Sequence, residues 1–167
     1  MTKLNKFSPS ESLTAKHDID DFQSGEIILD DWLRKRALAN NELAASKTYV
    51  SCFLGTRKVA GYYSLSMGHV LNQEVIGSMR RNMPKNIPVV VLGRLAIDQS
   101  CQGVGLGVSM LQDAVKRSII ASEQVSARLL IVHAISQNAE QFYLHHGFIK
   151  QPIDTPMLAF DLTRTSK

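Results

Sequence analysis

The sequence predicts an α/β protein: an α+β arrangement in which a central mixed β-sheet is flanked by helices. Three observations carry that prediction. Strand-like and helix-like patterns alternate along the chain. The stretch Pro88 to Gly107, PVVVLGRLAIDQSCQGVGLG, reads as an apolar strand, a short polar loop and a glycine-rich turn that opens a helix. The 167 residues, 44% hydrophobic and 20% charged, suit one domain, 1–167, with a full hydrophobic core.

A short first strand is expected within Lys3 to Phe7, ahead of Pro9. Asp18 to Gly25 is acidic and loop-like, and Ser24 is placed to cap the next helix. That helix spans Glu26 to Asn41, with Leu29, Leu33 and Ala37 on one face and Trp32 beside them. Asp30 and Asp31 near its start and Arg34, Lys35 and Arg36 later suit the helix dipole; these charges are most simply a solvated face. Thr48 to Leu54 and Val59 to Val70 form a hairpin around Gly55-Thr56-Arg57-Lys58. Asn72 to Lys85 is an irregular connection bearing Arg80, Arg81 and Lys85. The central strand comes next, with Gly93 marking a bulge or a close backbone approach. Val104, Gly107, Val108, Leu111, Ala114, Val115 and Ser118 fall on one stripe of a helix starting near Val104. Arg128 to Ala134 is a buried strand, Asn138 to His146 a short helix closed by Gly147, and Met157 to Leu162 the end of a last extended region. A V-shaped opening between the central strands is compatible with this order.

A strand, a glycine turn and a helix start make an anion cradle. Helix N-termini present unpaired N–H groups and a partial positive charge, and glycines let a phosphate approach the backbone. A Walker loop needs a lysine that Gly107-Val108-Ser109 lacks. A dinucleotide fold needs an early glycine turn and an acid about twenty residues on, and neither is present. A plain strand-to-helix turn remains the structural alternative for these six residues alone.

Composition sets further bounds. Cys52 and Cys101 form no metal or disulfide pattern and read as free thiols of a reducing cytosol, so a cytoplasmic location is expected. No apolar run suits a membrane span, and the N-terminus has no signal-peptide core. The formal net charge of +4 permits a polyanionic partner. His145 and His146 lack a partner at metal spacing and suit a helix end, so no metal is expected. His133 reads as a core histidine. Tyr62 and Tyr63 point to opposite faces, one to the core and one toward a substrate groove.

The motif Gln102-Gly103-Val104-Gly105-Leu106-Gly107 resembles the pyrophosphate loop, Q-x-x-G-x-G, of the GNAT acetyltransferases. Phe142-Tyr143-Leu144-His145-His146-Gly147-Phe148 is similar to that family's F-Y-x-x-x-G-F segment. FQSGEIILDDWLRKRA, SKTYV, VAGYYSLS, RRNMP and IPVVVLGRLAID succeed one another as in the toxin branch of the superfamily, from about Phe22 to Leu162. The resemblance implies the GNAT fold and acetyl-CoA as cosubstrate. It implies acetylation of the amino group of aminoacyl-tRNA, which stops translation. A ribbon-helix-helix antitoxin, a homodimer, and contact with operator DNA only through the antitoxin complex are implied as well.

Carried over by position, Leu95, Ala96 and Ile97 would lie along the pantetheine arm. Gln102, Gly103, Val104, Gly105, Leu106, Gly107 and Val108 would hold the pyrophosphate through main-chain N–H groups. Asn138 and Phe142 would line the thiol end, and Tyr143 would be the general acid. Arg80, Arg81, Lys85 and Arg94 are candidates for tRNA contact, with Arg34, Lys35 and Arg36 as a second group. Leu92 to Ile97 holds no carboxylate, and Asp98 lies at the strand's end. A lysine amine, with a pKa of ~10.4, would suffer from a missing base, whereas an α-amine at ~7.7–8.0 is already partly neutral. Two other readings remain: a GNAT enzyme for protein or small amines, and a non-catalytic module that binds CoA or nucleic acid. Retention of Tyr143 and of the whole glycine loop disfavours the second.

Overall fold

The computed structural model describes residues 3–163. Seven strands are ordered β1-β2-β3-β4-β5-β7-β6: β1 (Glu11–Ser12), β2 (Lys47–Cys52), β3 (Val59–Leu71), β4 (Asn86–Ile97), β5 (Leu129–His133), β6 (Ile149–Lys150) and β7 (Met157–Asp161). The helices are α1 (Ile27–Trp32), α2 (Leu38–Glu42), α3 (Gly77–Arg80), α4 (Leu106–Gln124) and α5 (Gln137–His145). This is the mixed sheet with flanking helices that the alternating pattern predicts. Two compact units divide it: one runs up to Ser66 and includes Arg94–Ala114, the other holds Met67–Gly93 and Val115 onward.

In the first unit, β1 and β3 pair antiparallel on either side of β2, with a bulge at Ser51/Cys52. The expected first strand is instead a 3-10 turn, Lys3–Lys6, with a single bridge from Phe7 to Phe53 after it. Pro9, close behind, has no N–H to extend a ladder. Helices α1 and α2 are one rod interrupted by a π-turn over Leu33–Ala37. Leu29, Leu33, Ala37 and Asn41 are all buried at steps of four. Such steps drift about 40° each round an α-helix, and one wider i→i+5 turn takes up that drift. Ser24 is not the N-cap. Glu26 holds that position without a side-chain cap, while the Ser24 N–H and hydroxyl both donate to buried Asp30 one turn in.

Tyr62 and Tyr63 are both fully buried, so neither lines an open groove. The Tyr62 hydroxyl donates to the Leu29 carbonyl (2.7 Å), and that of Tyr63 donates to Asp113 of α4. From Val59 to Ser64, strand β3 is thus covered on both faces. Gly61 lets the cover come close: a Cβ there would meet Met110 Sδ at 2.7 Å and Ile97 Cδ1 at 2.8 Å.

In the second unit, β4 runs parallel to β5, and β7 lies antiparallel between β5 and β6. Val89, Leu129, Ile131 and Ala159 build its core with Val75 and Met79. The β4–β5 ladder ends at Leu92 opposite Val132, and β4 continues through Gly93 to Ile97 beyond it. His133, the last residue of β5, is exposed rather than a core histidine.

Candidate active site

Two constellations carry the predicted site, one in each unit. In the first, β4 passes Leu95, Ala96 and Ile97 and ends at Asp98. Ala96 is buried; Leu95 and Ile97 are half-buried. Asp98 organises the loop beyond the strand. Its carboxylate accepts from the Gln23 N–H (2.9 Å), the Ser100 N–H (3.1 Å) and the Ser100 hydroxyl (2.6 Å). Burial alone would raise its pKa. The bonds from Ser100 and Gln23, with the nearby charge of Lys58, outweigh burial and hold it below the usual carboxylate range. The Gln99 N–H returns a bond to the Gln23 carbonyl (2.7 Å). The Gln102 side-chain amide donates to the Ser24 and Ile97 carbonyls (2.8 and 2.9 Å). The loop that precedes α1 is therefore stitched to the glycine turn.

Gly103 and Gly105 are left-handed, with φ of +78° and +96°, a conformation that glycine takes without steric cost. The Ser109 N–H donates to the Gly105 carbonyl (3.0 Å), the first rung of α4. The helix thus begins at Leu106, two residues after the expected start. The N–H groups of Leu106, Gly107 and Val108 precede the helical ladder. Its buried stripe is Leu106, Met110, Leu111, Ala114 and Ser118. Gly107, Val108 and Val115, expected on that stripe, are only half-buried, as is Val104. Apart from its own chain neighbours, no described residue comes within 4 Å of where a Cβ on Gly103 would stand. Two left-handed glycines at the head of a 19-residue helix, the first of them open, fit a diphosphate.

In the second unit, α5 is capped at both ends. The Ser136 hydroxyl accepts from the Ala139 N–H (3.1 Å). At the other end the Phe148 N–H donates to the Tyr143 carbonyl (3.1 Å) and the Gly147 N–H to the Leu144 carbonyl (3.4 Å). With Gly147 at φ +93°, this is a Schellman motif. The motif also calls for an apolar contact across the cap, and the Tyr143 and Phe148 rings supply it, 5.4 Å apart. The F-Y-x-x-x-G-F spacing is therefore the spacing of a helix stop. Phe142, half-buried, packs on Tyr143 and on His146. His146 Nδ1 lies 2.7 Å from the Phe142 carbonyl, a helix-end role. Asn138 is exposed in an open groove beside Phe142 and His145. Tyr143 is 6% exposed, and burial raises its pKa well above that of an ordinary phenol.

The cations divide similarly. In the first unit, Arg34 donates to the Phe22 carbonyl (2.8 Å), and Arg34 and Lys35 lie 3.5 and 3.7 Å from Asp31. Arg36 is exposed. Arg94 lies over Trp32, 4.1 Å from the ring centroid, and Trp32 stacks on Tyr62. Burial lowers the Arg94 pKa, and Tyr62 opposes that shift. Arg80, Arg81 and Lys85 are exposed in the second unit. Sequence reasoning passes over three groups: Asp98 as organiser of the loop, Trp32 as the platform for Arg94, and buried Gln151. Only Asp98 has a local signal, an Asp two residues ahead of a Ser at a strand's end. No group of His, Cys, Asp or Glu among the described residues could hold a metal.

The family described as "Acetyltransferase (GNAT) domain" matches residues 42–157. The chain is 40% identical over 151 residues to a "tRNA-acetylating toxin" of Mycobacterium tuberculosis, covering 90% of each protein. Among solved structures, AtaT complexed with acetyl-methionyl-tRNAfMet superposes with a TM-score of 0.88 at 31% identity, over 95% of this chain and 96% of that one. AtaT is also solved with the C-terminus of its antitoxin AtaR and acetyl-CoA, and with AtaR on DNA. A structure of KacT gives a TM-score of 0.90 at 27% identity, over 95% and 96% of the two chains.

Proposed function

The chain belongs to the GNAT acetyltransferase family, and on that premise we propose that it is a toxin that transfers the acetyl group of acetyl-CoA to the α-amino group of aminoacyl-tRNA and so blocks translation. The observation that carries this reading is 40% identity to a tRNA-acetylating toxin over nine-tenths of both proteins. The match to the family runs through both compact units, so we treat 1–167 as one catalytic domain.

In this reading the pyrophosphate of acetyl-CoA sits on the N–H groups of Gln102 to Val108, and its pantetheine arm runs along Leu95 to Ile97. Asn138 and Phe142 line the thiol end. A neutral amine attacks the thioester carbonyl, the tetrahedral intermediate collapses, and the C–S bond breaks. CoA leaves as a thiolate that takes a proton; a free thiol has a pKa of ~8.5. Tyr143 gives that proton, and the proton that the amine nitrogen sheds as the amide forms returns through solvent to the tyrosinate. The buried phenol is neutral at neutral pH, the form a general acid needs, and burial further disfavours its ionised form. Asp98 is unsuited to act as base, because three donors occupy its carboxylate and hold it ionised. With Asp98 set aside, an amine already partly neutral suits the site best, and an α-amine at ~7.7–8.0 is one; a base elsewhere in the chain or a water relay is the alternative.

The partners accord with the same reading. The toxin is a homodimer held inactive by an antitoxin of ribbon-helix-helix type, operator DNA is met only through the antitoxin complex, and the site of action is the cytoplasm. Support comes from AtaT, solved with its antitoxin and with DNA. No helix among the described residues is long and apolar enough to cross a membrane.

The test uses purified protein, labelled acetyl-CoA and charged tRNA. Wild type should label the aminoacyl group. Tyr143→Phe should lose ~100- to 10,000-fold in rate with acetyl-CoA affinity unchanged, since the hydroxyl matters only as charge develops on sulfur. Label on protein or polyamine with none on charged tRNA would reject the substrate. A near wild-type rate for Tyr143→Phe would reject the acid.

A further inference from the structure

The segment between β3 and β4 carries Arg80, Arg81 and Lys85, all exposed, yet it is a built element. Its base is closed: the Asn72 N–H donates to the Lys85 carbonyl (2.9 Å) and the Leu71 N–H to Glu74 Oε1 (2.8 Å). Val75 and Met79 are buried. After α3 the chain turns sharply at Asn82, which is left-handed at φ +63°, and the Met83 N–H donates to the Arg80 carbonyl (3.0 Å).

One side chain from a distant part of the same unit enters this segment. Gln151, 2% exposed, accepts the Ile76 N–H on Oε1 (3.0 Å). Its Nε2 donates to the Ile149 carbonyl (2.8 Å) and lies 3.6 Å from Met79 Sδ. Ile76 is the N-cap of α3. A four-residue helix cannot hold its own direction, because one turn fixes many dihedrals for few bonds. A methionine would fill the same buried space without the cost of burying an amide. What the amide adds is direction: both of its ends are used, one on α3 and one on β6.

We propose that Gln151 is a positioning residue that aims α3, and with it Arg80, Arg81 and Lys85, at the phosphates of the acceptor. This rests on the reading of charged tRNA as substrate. Phosphate contacts set the register of a bound nucleic acid, so a tilt of α3 weakens acceptor binding and leaves the chemistry alone.

Two full-length variants test the two ends of one bond. Gln151→Met keeps the length of the side chain and removes its amide. Ile76→Pro removes the donor: φ of −64° at Ile76 suits proline, and extended Val75 (φ −120°, ψ 157°) suits the residue before it. Each should raise KM for charged tRNA about tenfold and flatten its salt dependence, with kcat and acetyl-CoA affinity at wild-type values. In an Arg80→Ala/Arg81→Ala background neither should add a further loss. If wild type leaves charged tRNA unlabelled, the functional reading itself fails. If wild type labels it but the double arginine variant keeps wild-type KM, these cations do not meet tRNA and the proposal falls. If the arginines matter but both anchor variants are silent, or add fully to the arginine loss, Gln151 does not position them. Parallel losses of kcat and acetyl-CoA affinity would make it a packing residue and also overturn the proposal. Should Gln151→Met fail to fold, Ile76→Pro is read by the same outcomes.

Discussion

Alanine at Gly147 would separate the stability of the α5 cap from its role in catalysis. A Cβ at Gly147 would stand 3.5 Å from Phe160 Cε2, an ordinary contact, so the cost is conformational. Holding an L-residue in the left-handed region costs about 1–2 kcal/mol. In a chain of this length that lowers Tm by roughly 2–8 °C. Gly55, in the turn between β2 and β3, is the matched control: φ is +79° and nothing lies within 4 Å of its Cβ position. Gly55→Ala should bear the same strain in a turn that holds none of the proposed site residues. Gly147→Ala relieves its strain by opening the last turn of α5, where the Tyr143 carbonyl receives the Phe148 and His146 N–H groups. A displacement near 1 Å costs roughly 100-fold in a positioned reaction, so the single-turnover rate should fall about 10- to 100-fold. Melting curves and single-turnover acetylation at 25 °C, where both variants are folded, give the comparison. Gly147→Asn should recover part of the rate, because asparagine tolerates this backbone better. The reasoning is refuted if Gly147→Ala melts lower but reacts at the wild-type rate, or if Gly55→Ala loses as much activity.

Gly105→Asp puts a carboxylate at the head of α4 and should abolish acetyl-CoA binding by calorimetry, while Gly105→Ala, which shares the backbone strain at φ +96°, should retain most of it; equal affinities in the two would remove the anion cradle from the scheme. For Asp98 the folded pKa lies below the unfolded value of ~3.9, so its stabilisation is complete above about pH 4 and is withdrawn as pH falls through the folded value. The stability lost in Asp98→Asn should therefore be present at pH 7 and shrink in strong acid, and a pH-independent difference would contradict the assignment.

Legibility in the sequence depended on whether the signal was local. The Schellman stop of α5 was legible because its glycine and its two aromatic residues lie within one turn of each other. The hairpin of β2 and β3 was legible for the same reason. The π-turn was not, since apolar steps of four look alike on an α-helix and on one with a wider turn. Tyr62 and Tyr63 were misjudged because alternation implies a solvent face only when a sheet is covered on one side. Here Leu29 takes one hydroxyl and Asp113 the other. His133 looked internal from its apolar neighbours, but it lies one residue past the end of the β4–β5 ladder. Gln151 gave no signal, because its partners at Ile76 and Met79 are more than seventy residues away in sequence.

The early end of the β4–β5 ladder would make the cosubstrate a structural part under the proposed function. Past Leu92, β4 offers main-chain groups beyond that ladder, an edge in mid-sheet where proteins ordinarily have none. On the placement proposed above, the amide-bearing arm of acetyl-CoA along Leu95 to Ile97 would serve as the missing strand. Folding and metabolite supply are then linked by mass action: at a hundredfold excess over its dissociation constant, such a ligand adds about 2.7 kcal/mol to the native state. With acetyl-CoA abundant the chain would be harder to unfold and to digest, and with a shrinking pool that protection would lapse. On that placement, resistance to unfolding and digestion would follow the supply of acetyl-CoA.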